Sequence, residues 1–357
     1  MRGFPEGQNG RLPPPGTAEA LSRLMPGAVE ERVDLARHSH WRIGGTADIV
    51  VRPRSVDELS RLYGWLAAQD LAHVVIGGST NLLFSDEGLR AICVEIGSGL
   101  AGLRVEGNLI FCEPGAWAPH IARGAMQAGL TGIEHICGIP GTIGGLVYMN
   151  GGSQRHGIGE AVVRVVTIDP QGRIGSRTAE ECGFRYRHSI FQETGEIVAG
   201  VELNLTPGSD PGTIRREMLK IMGDRRRKFP HRQPSCGSVF VSNPAFYAEY
   251  GPPGAVIERM GFKGLREGGA QVSPRHANFI VNTGGATARD VLALIQRIRQ
   301  RVAEETGYVM EVEARFVSSS GRVISAGEAG VPVASNNAAG YDHGGSGRVM
   351  PGGFRKA

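Results

Sequence analysis

Residues 132–152, GIEHICGIPGTIGGLVYMNGG, carry seven glycines and a proline inside an otherwise apolar run. No regular core helix or strand suits that spacing. Glycine lets main chain approach a ligand closely and adopt positive φ, at an entropic cost that a segment needed only for packing would avoid. The expectation is a backbone lying against a flat ligand, its successive N–H groups suited to a diphosphate or a carbonyl-rich ring. A second glycine-rich segment, VVIGGSTNLL over 74–83, follows a short apolar strand. It sets Gly77, Gly78, Ser79, Thr80 and Asn81 where a phosphate-binding turn would sit. Either segment alone reads equally well as a tight turn.

The chain's 357 residues allow two or three domains and a deep cleft. A net charge of +4 fits an anionic small ligand. No Lys/Arg block is long enough to argue for nucleic acid, and the densest run, Arg225–Lys228, reads as a solvated or phosphate-facing helix edge. Cys93, Cys112, Cys137, Cys182 and Cys236 are odd in number and form no C-x-x-C. Their scatter argues against a disulfide framework or a metal site and favours a reducing compartment. No apolar stretch near the start suits a signal peptide and none approaches a membrane span, so a cytoplasmic protein without membrane insertion is expected.

Residues 1–30, rich in Pro and Gly, read as a flexible extension with a short helical candidate at 18–24. A strand through Val51 follows, then a helix from the capping box at Ser55–Glu58 to about Gln69. Strands are expected near 73–76, 91–95, 109–113, 162–168 and 197–205, with a helix over 117–127 and a hairpin turn at Asp169–Gly172. The stretch TPGSDPG at 206–212 looks like a domain boundary. Beyond it come a basic helix to Lys228, a strand at 277–281, a helix over 287–305 with one apolar stripe, and a strand over 308–316. The small polar residues of 318–357 predict a disordered tail. Gly97–Gly102 matches G-x-G-x-x-G after a strand, but a strand and turn follow instead of a helix, which argues against a Rossmann reading.

Four further segments, read in order, are RIGGTADIVV from Arg42, YRHSIFQ from Tyr186, PSCGSVFVSNP from Pro234 and GGAQVSPRHANFIVN from Gly268. With IGGSTNLL and GIPGTIGG they closely resemble the UDP-N-acetylenolpyruvoylglucosamine reductase (MurB) family, in its shorter subtype, from about Leu35 to Phe316. The resemblance implies an α+β fold: an FAD-binding region of the vanillyl-alcohol-oxidase (PCMH) type over 31–208, then a smaller α+β substrate-binding domain over 209–317. It implies non-covalent FAD, NADPH as reductant, and reduction of the enolpyruvyl ether of UDP-N-acetylglucosamine to the lactyl ether of UDP-N-acetylmuramate in peptidoglycan precursor synthesis. No obligate protein partner is implied.

By motif position the catalytic set is Arg187, Ser238 and Glu313. Arg42, Gly77, Gly78, Ser79, Thr80 and Asn81 would serve the cofactor, with Gly138, Pro140, Gly141, Gly144 and Gly145 lining the flavin. Tyr186, Asn243, Lys263 and Asn278 are expected at the substrate, and His276 reads as a structural histidine. The chemistry suits these residue types. Hydride addition to an enolpyruvyl carbon spreads negative charge onto the adjacent carboxylate, which arginine's planar fork matches. The neighbouring carbon then needs a proton, for which Ser238 is the candidate donor, and a buried, protonated Glu313 would share the enol charge by hydrogen bonding.

The chain departs from the commonest pattern at Cys236, where Ala is usual, at Val241-Ser242, and at Gly151–His156; Glu311 is an alternative acid. Two rival readings remain: a paralogous FAD reductase with another unsaturated substrate, and a catalytically silent flavin- or UDP-sugar-binding module.

Overall fold

In the computed structural model, residues 10–208 and 210–329 are described. Apolar alternation over Thr46–Val51, Ile92–Glu95 and His73–Ile76 builds the parallel part of a four-stranded sheet, with Val29–Asp34 antiparallel on its outer edge. The glycine turn at 77–81 springs from the C-terminal end of His73–Ile76. Helix Val56–Gln69 starts where Ser55 Oγ accepts the Glu58 N–H at 3.1 Å, and its Leu59, Leu62 and Leu66 pack on this sheet. The segment at 97–102 forms one short 3₁₀ turn and leads into the strand Leu103–Glu106, so no helix N-terminus exists there for a pyrophosphate.

A five-stranded antiparallel sheet runs in the order Ile174–Thr178, Val162–Ile168, Ile197–Asn204, Leu109–Cys112, Leu103–Glu106. Ile168 and Ile197 join the core beneath the first sheet. A second core gathers the helices Ala118–Gln127, Ile143–Met149 and Pro211–Lys228 around Val165, Val201 and Leu203 of this sheet. The boundary expected near 208 therefore shifts. Ile214, Met218 and Ile221 fasten Pro211–Lys228 to the first half of the chain, so its last residues overlook the glycine-rich segment.

The C-terminal unit packs helix Ala288–Thr306, through Val291, Leu294, Ile295, Ile298 and Val302, on the sheet Arg266–Glu267, Ala270–Val272, Ile280–Asn282. Both carboxylate oxygens of Asp86, from the first half, accept the N–H groups of Ala288 and Arg289 at 2.7 and 3.1 Å. An acidic group at a helix start satisfies orphan donors and complements the dipole. Trp41 is fully buried on the other side of this junction and donates Nε1–H to Ile280 O at 2.8 Å.

Three expectations are corrected. Within 10–30, helix Thr17–Leu24 is docked, with Leu21 and Met25 buried, because its apolar stripe covers the edge of the first core. The expected strand over 308–316 shortens to Arg315–Val317, which lies parallel to Leu82–Phe84. Within the expected tail, Val323–Ser325 is a strand paired with Arg315–Val317, and Ala326 is fully buried. Residues 1–9 and 330–357 lie outside the described residues.

Ending the chain at Val317 is accordingly expected to cost about 2–4 kcal/mol, from a handful of lost hydrogen bonds and the buried Ala326. Thermal melts of the truncated and full-length proteins check this, and equal melting temperatures would refute it.

Candidate active site

A cavity of about 820 Å³ lies between the two halves. One wall is the pair of glycine-rich segments, which touch each other. A Cβ on Gly77 would stand 2.5 Å from Thr142 Oγ1, so glycine there answers to the neighbouring turn as much as to a ligand. Gly138 has the same role opposite Arg225, whose Cδ would be 2.7 Å from an added Cβ. Thr142 caps helix Ile143–Met149 and presents Gly141, Gly144 and Gly145 to the cavity.

Among the described residues, the backbone N–H groups of Gly77, Gly78, Ser79, Thr80 and Asn81 have no hydrogen-bond partner, although all five residues line the cavity. Ser79 holds φ at 51°. Orphan main-chain donors gathered on one wall call for an acceptor-rich ligand. The donor set fits the diphosphate of FAD, and the glycine wall at 138–145 leaves room for its ring. The cofactor positions expected from sequence all line this cavity except Arg42. Arg42 instead closes the junction loop with its carbonyl, which accepts from Asn282 Nδ2 at 3.3 Å.

The three catalytic candidates, far apart in sequence, all line this cavity. Arg187, at φ 55°, donates Nε–H to Glu313 Oε1 at 2.9 Å and an Nη2–H to Gly152 O at 3.3 Å. That occupies one donor edge of the guanidinium and leaves the other for a carboxylate. Glu313 is brought there by the sheet: Arg315 pairs with Leu82, Arg315 N donates to Asn81 O at 3.0 Å, and Asn81 Nδ2 donates to Glu313 O at 3.1 Å. The segment that carries Glu313 is thus laced to the phosphate turn. Burial lifts the Glu313 carboxyl above its ordinary range, against the pull of Arg187 and Arg315. Glu311 is exposed and lies off the cavity wall, which disfavours it as the acid.

Ser238 follows Gly237, whose φ of 84° turns the loop into the cavity. Its neighbour Val239 donates N–H to Asn278 O at 2.9 Å and accepts the Glu313 N–H at 2.8 Å. The serine loop and the Glu313 segment are therefore joined backbone to backbone. Cys236 stands beside them in the wall, and burial followed by the Glu313 charge pushes its thiol well above the usual range. A protonated thiol there is a small apolar filler.

The substrate candidates are placed differently from expectation. Asn278 is buried and both ends of its amide are engaged: Oδ1 accepts the Phe240 N–H at 2.8 Å and Nδ2 donates to Phe240 O at 3.0 Å. It holds the Ser238 loop and does not face the cavity. Asn243 caps helix Pro244–Tyr250, and Lys263 pairs with Glu258 at 2.8 Å. Tyr186 is exposed and lies against Arg187, with the guanidinium carbon 5.0 Å from its ring centre. His276 accepts the Asn278 N–H at Nδ1, in keeping with a structural role.

Asn278→Ala is expected to lose about 2–4 kcal/mol of stability, since two buried backbone groups lose their partners. Denaturant titration measures this. An unchanged midpoint would show that the amide is dispensable.

Arg315 and Tyr148 line the cavity with no site role expected from sequence, and Arg225, read there as part of a solvated or phosphate-facing helix edge, lines it too. Arg225 continues the helical stripe of Ile214, Met218 and Ile221, and the 3.6 spacing was its signal. Arg315 opens the strand Arg315–Val317, two residues past Glu313. Tyr148, its hydroxyl pushed up to about 12 by burial, gave no sequence signal beyond its place in the glycine-rich segment.

The family model for the UDP-N-acetylenolpyruvoylglucosamine reductase C-terminal domain matches residues 229–317, and that for an FAD binding domain matches 47–176. A UDP-N-acetylenolpyruvoylglucosamine reductase 1 of Corynebacterium glutamicum is 43% identical over 81% of this chain and 86% of its own. The reductase of Heliobacterium modesticaldum is 37% identical over 86% of this chain and 96% of its own. The crystal structure of the Thermus caldophilus reductase superposes with a TM-score of 0.69 at 32% identity, covering 81% of this chain and 98% of that one. The two domain models match in order along the chain, and these relatives are matched over most of both chains: the chain belongs to the UDP-N-acetylenolpyruvoylglucosamine reductase family and is an FAD-dependent oxidoreductase.

Proposed function

We propose that the protein reduces UDP-N-acetylglucosamine enolpyruvate to UDP-N-acetylmuramate with NADPH, using Arg187, Ser238 and Glu313. The observation that carries this reading is the Arg187–Glu313 contact at 2.9 Å in the cavity that Ser238 and the glycine turns also line. Gly77–Asn81 would hold the diphosphate of FAD and Gly138–Gly145 its ring, and FAD bound there supplies hydride, drawn from NADPH, to the enolpyruvyl double bond.

The chain's own residues supply the rest. The free edge of Arg187 orients the substrate carboxylate and offsets the charge that grows on it during the reaction. Glu313, whose pKa burial raises, would in its protonated form donate a hydrogen bond to the same developing charge. Ser238 Oγ delivers a proton to the carbon next to the one that receives hydride. Tyr186 supports the Arg187 plane from outside. Cytoplasmic location is part of this proposal; among the described residues no helix is long and apolar enough to cross a membrane.

An anaerobic titration tests the assignment. The yellow protein should bleach with NADPH and regain its colour on addition of the enolpyruvyl sugar nucleotide. A protein that bleaches but is not recoloured acts on another substrate, and one that never bleaches is a binding module. No histidine or cysteine lies in the phosphate turn, so acid precipitation should leave the colour in the supernatant.

A further inference from the structure

The C-terminal family match ends at Val317, yet residues 318–329 double back on the segment that carries Glu313. Val323–Ser325 pairs antiparallel with Arg315–Val317, and Val323 reaches the cavity wall. Ala326 N donates to Ala314 O at 2.9 Å, and Ser325 Oγ donates to Val312 O at 3.3 Å. Arg299, from helix Ala288–Thr306, fastens the two ends of this arrangement. Its Nε–H is donated to Met310 O at 3.1 Å and an Nη1–H to Gly327 O at 2.5 Å. Gln296 Nε2 adds a second donor to Gly327 O at 2.9 Å.

We propose that Arg299 is a positioning residue for Glu313, acting through a clamp formed with the return segment 318–329. The proposal rests on the catalytic reading of Glu313 given above. A guanidinium is a rigid fork, so bonds to Met310 O and Gly327 O fix the distance between the entry to the Glu313 segment and the end of the return strand. From the opposite side the Val239 and Asn81 contacts hold Glu313 itself. The Glu313 backbone is thereby held by the clamp on one side and by Val239 and Asn81 on the other. Gly327 is where the clamp is tightest: an added Cβ would stand 2.8 Å from Val312 Cγ2 and 3.3 Å from Arg299 Cζ. Glycine at 327 lets the carbonyl reach both donors.

The test uses the full-length, FAD-loaded protein and compares Arg299→Ala, Arg299→Lys and Gly327→Ala. Misplacement of a catalytic group by about 1 Å can cost up to roughly 10²-fold in rate. Arg299→Ala should therefore lower kcat of the enolpyruvyl half-reaction by about 10- to 100-fold, with FAD affinity, flavin reduction by NADPH and substrate KM held near wild type. Arg299→Lys should recover part of the loss, since it keeps one donor. Gly327→Ala should reproduce the defect by crowding, and it replaces Arg299→Ala as the decisive variant if the latter does not fold. Wild-type kcat in the folded variants overturns the proposal. Equal losses in FAD affinity, NADPH reduction and turnover also overturn it, because they signal a general structural role. Glu313→Gln in the same assay separates the two levels. If it leaves turnover unchanged, the site reading fails; if it slows turnover and the clamp variants do not, only the clamp fails.

Discussion

Ser238→Ala is expected to bind FAD, to be reduced by NADPH at the wild-type rate, and to slow the enolpyruvyl half-reaction by roughly 10²- to 10⁴-fold, the usual cost of removing a general acid. The geometry makes this a clean substitution. Gly237 sets the loop's direction with its positive φ, and the backbone bonds of Val239 to Asn278 and Glu313 hold it on the far side. Removing the hydroxyl leaves all of these intact. Flavin reduction by NADPH needs no proton at the substrate carbon, so that step should be untouched. Ser238→Cys should recover part of the rate, because a thiol also donates a proton. Rapid mixing of the prereduced variant with substrate under anaerobic conditions reads the step directly. Reoxidation at the wild-type rate would mean that the proton comes from elsewhere.

The features legible in the sequence were those with a local cause. The cap at Ser55, the apolar stripe of Ala288–Thr306 and the missing helix after Gly102 follow from residues within a few positions of each other. The cavity wall at 77–81 and 138–145 was legible for the same reason, because glycine spacing is itself local. What sequence could not give depends on long-range pairing. Nothing near Asn278 reveals that both ends of its amide serve Phe240, 38 positions away, so a buried loop holder read as a substrate contact. The small residues of 318–329 looked unable to order themselves, and alone they would be. They order because Arg315–Val317, itself laid on Leu82–Phe84, offers an edge to pair with, and because Arg299 and Gln296 donate to the carbonyl of Gly327 in the turn. Glu313 was placed by motif alone; its burial and its contact with Arg187 come from that same three-strand junction.

Glu313 supplies the second large effect, and its signature is a pH dependence. Burial raises its pKa above the ordinary 4.5, and the positive charges of Arg187 and Arg315 only partly oppose this. A carboxyl whose pKa is higher folded than unfolded contributes stability that is full below the unfolded value and is lost as pH rises through the folded value. Wild-type stability should therefore decline across that interval relative to Glu313→Gln, which cannot ionise. The activity should follow the same titration, because the protonated acid is the form that donates to the developing enol charge. Glu313→Ala loses that donor altogether and is expected to slow the enolpyruvyl half-reaction by roughly 10²- to 10³-fold, as for other donors aimed at developing negative charge. Glu313→Gln keeps an N–H donor and an oxygen that can still accept from Arg187, so its loss should be smaller. Its rate should also lack the decline on the alkaline side that Glu313 ionisation imposes on the wild type. Stopped-flow rates of the two variants across pH distinguish the outcomes. A wild-type rate in Glu313→Ala would remove the residue from the mechanism, and an unchanged alkaline limb in Glu313→Gln would assign that titration to another group.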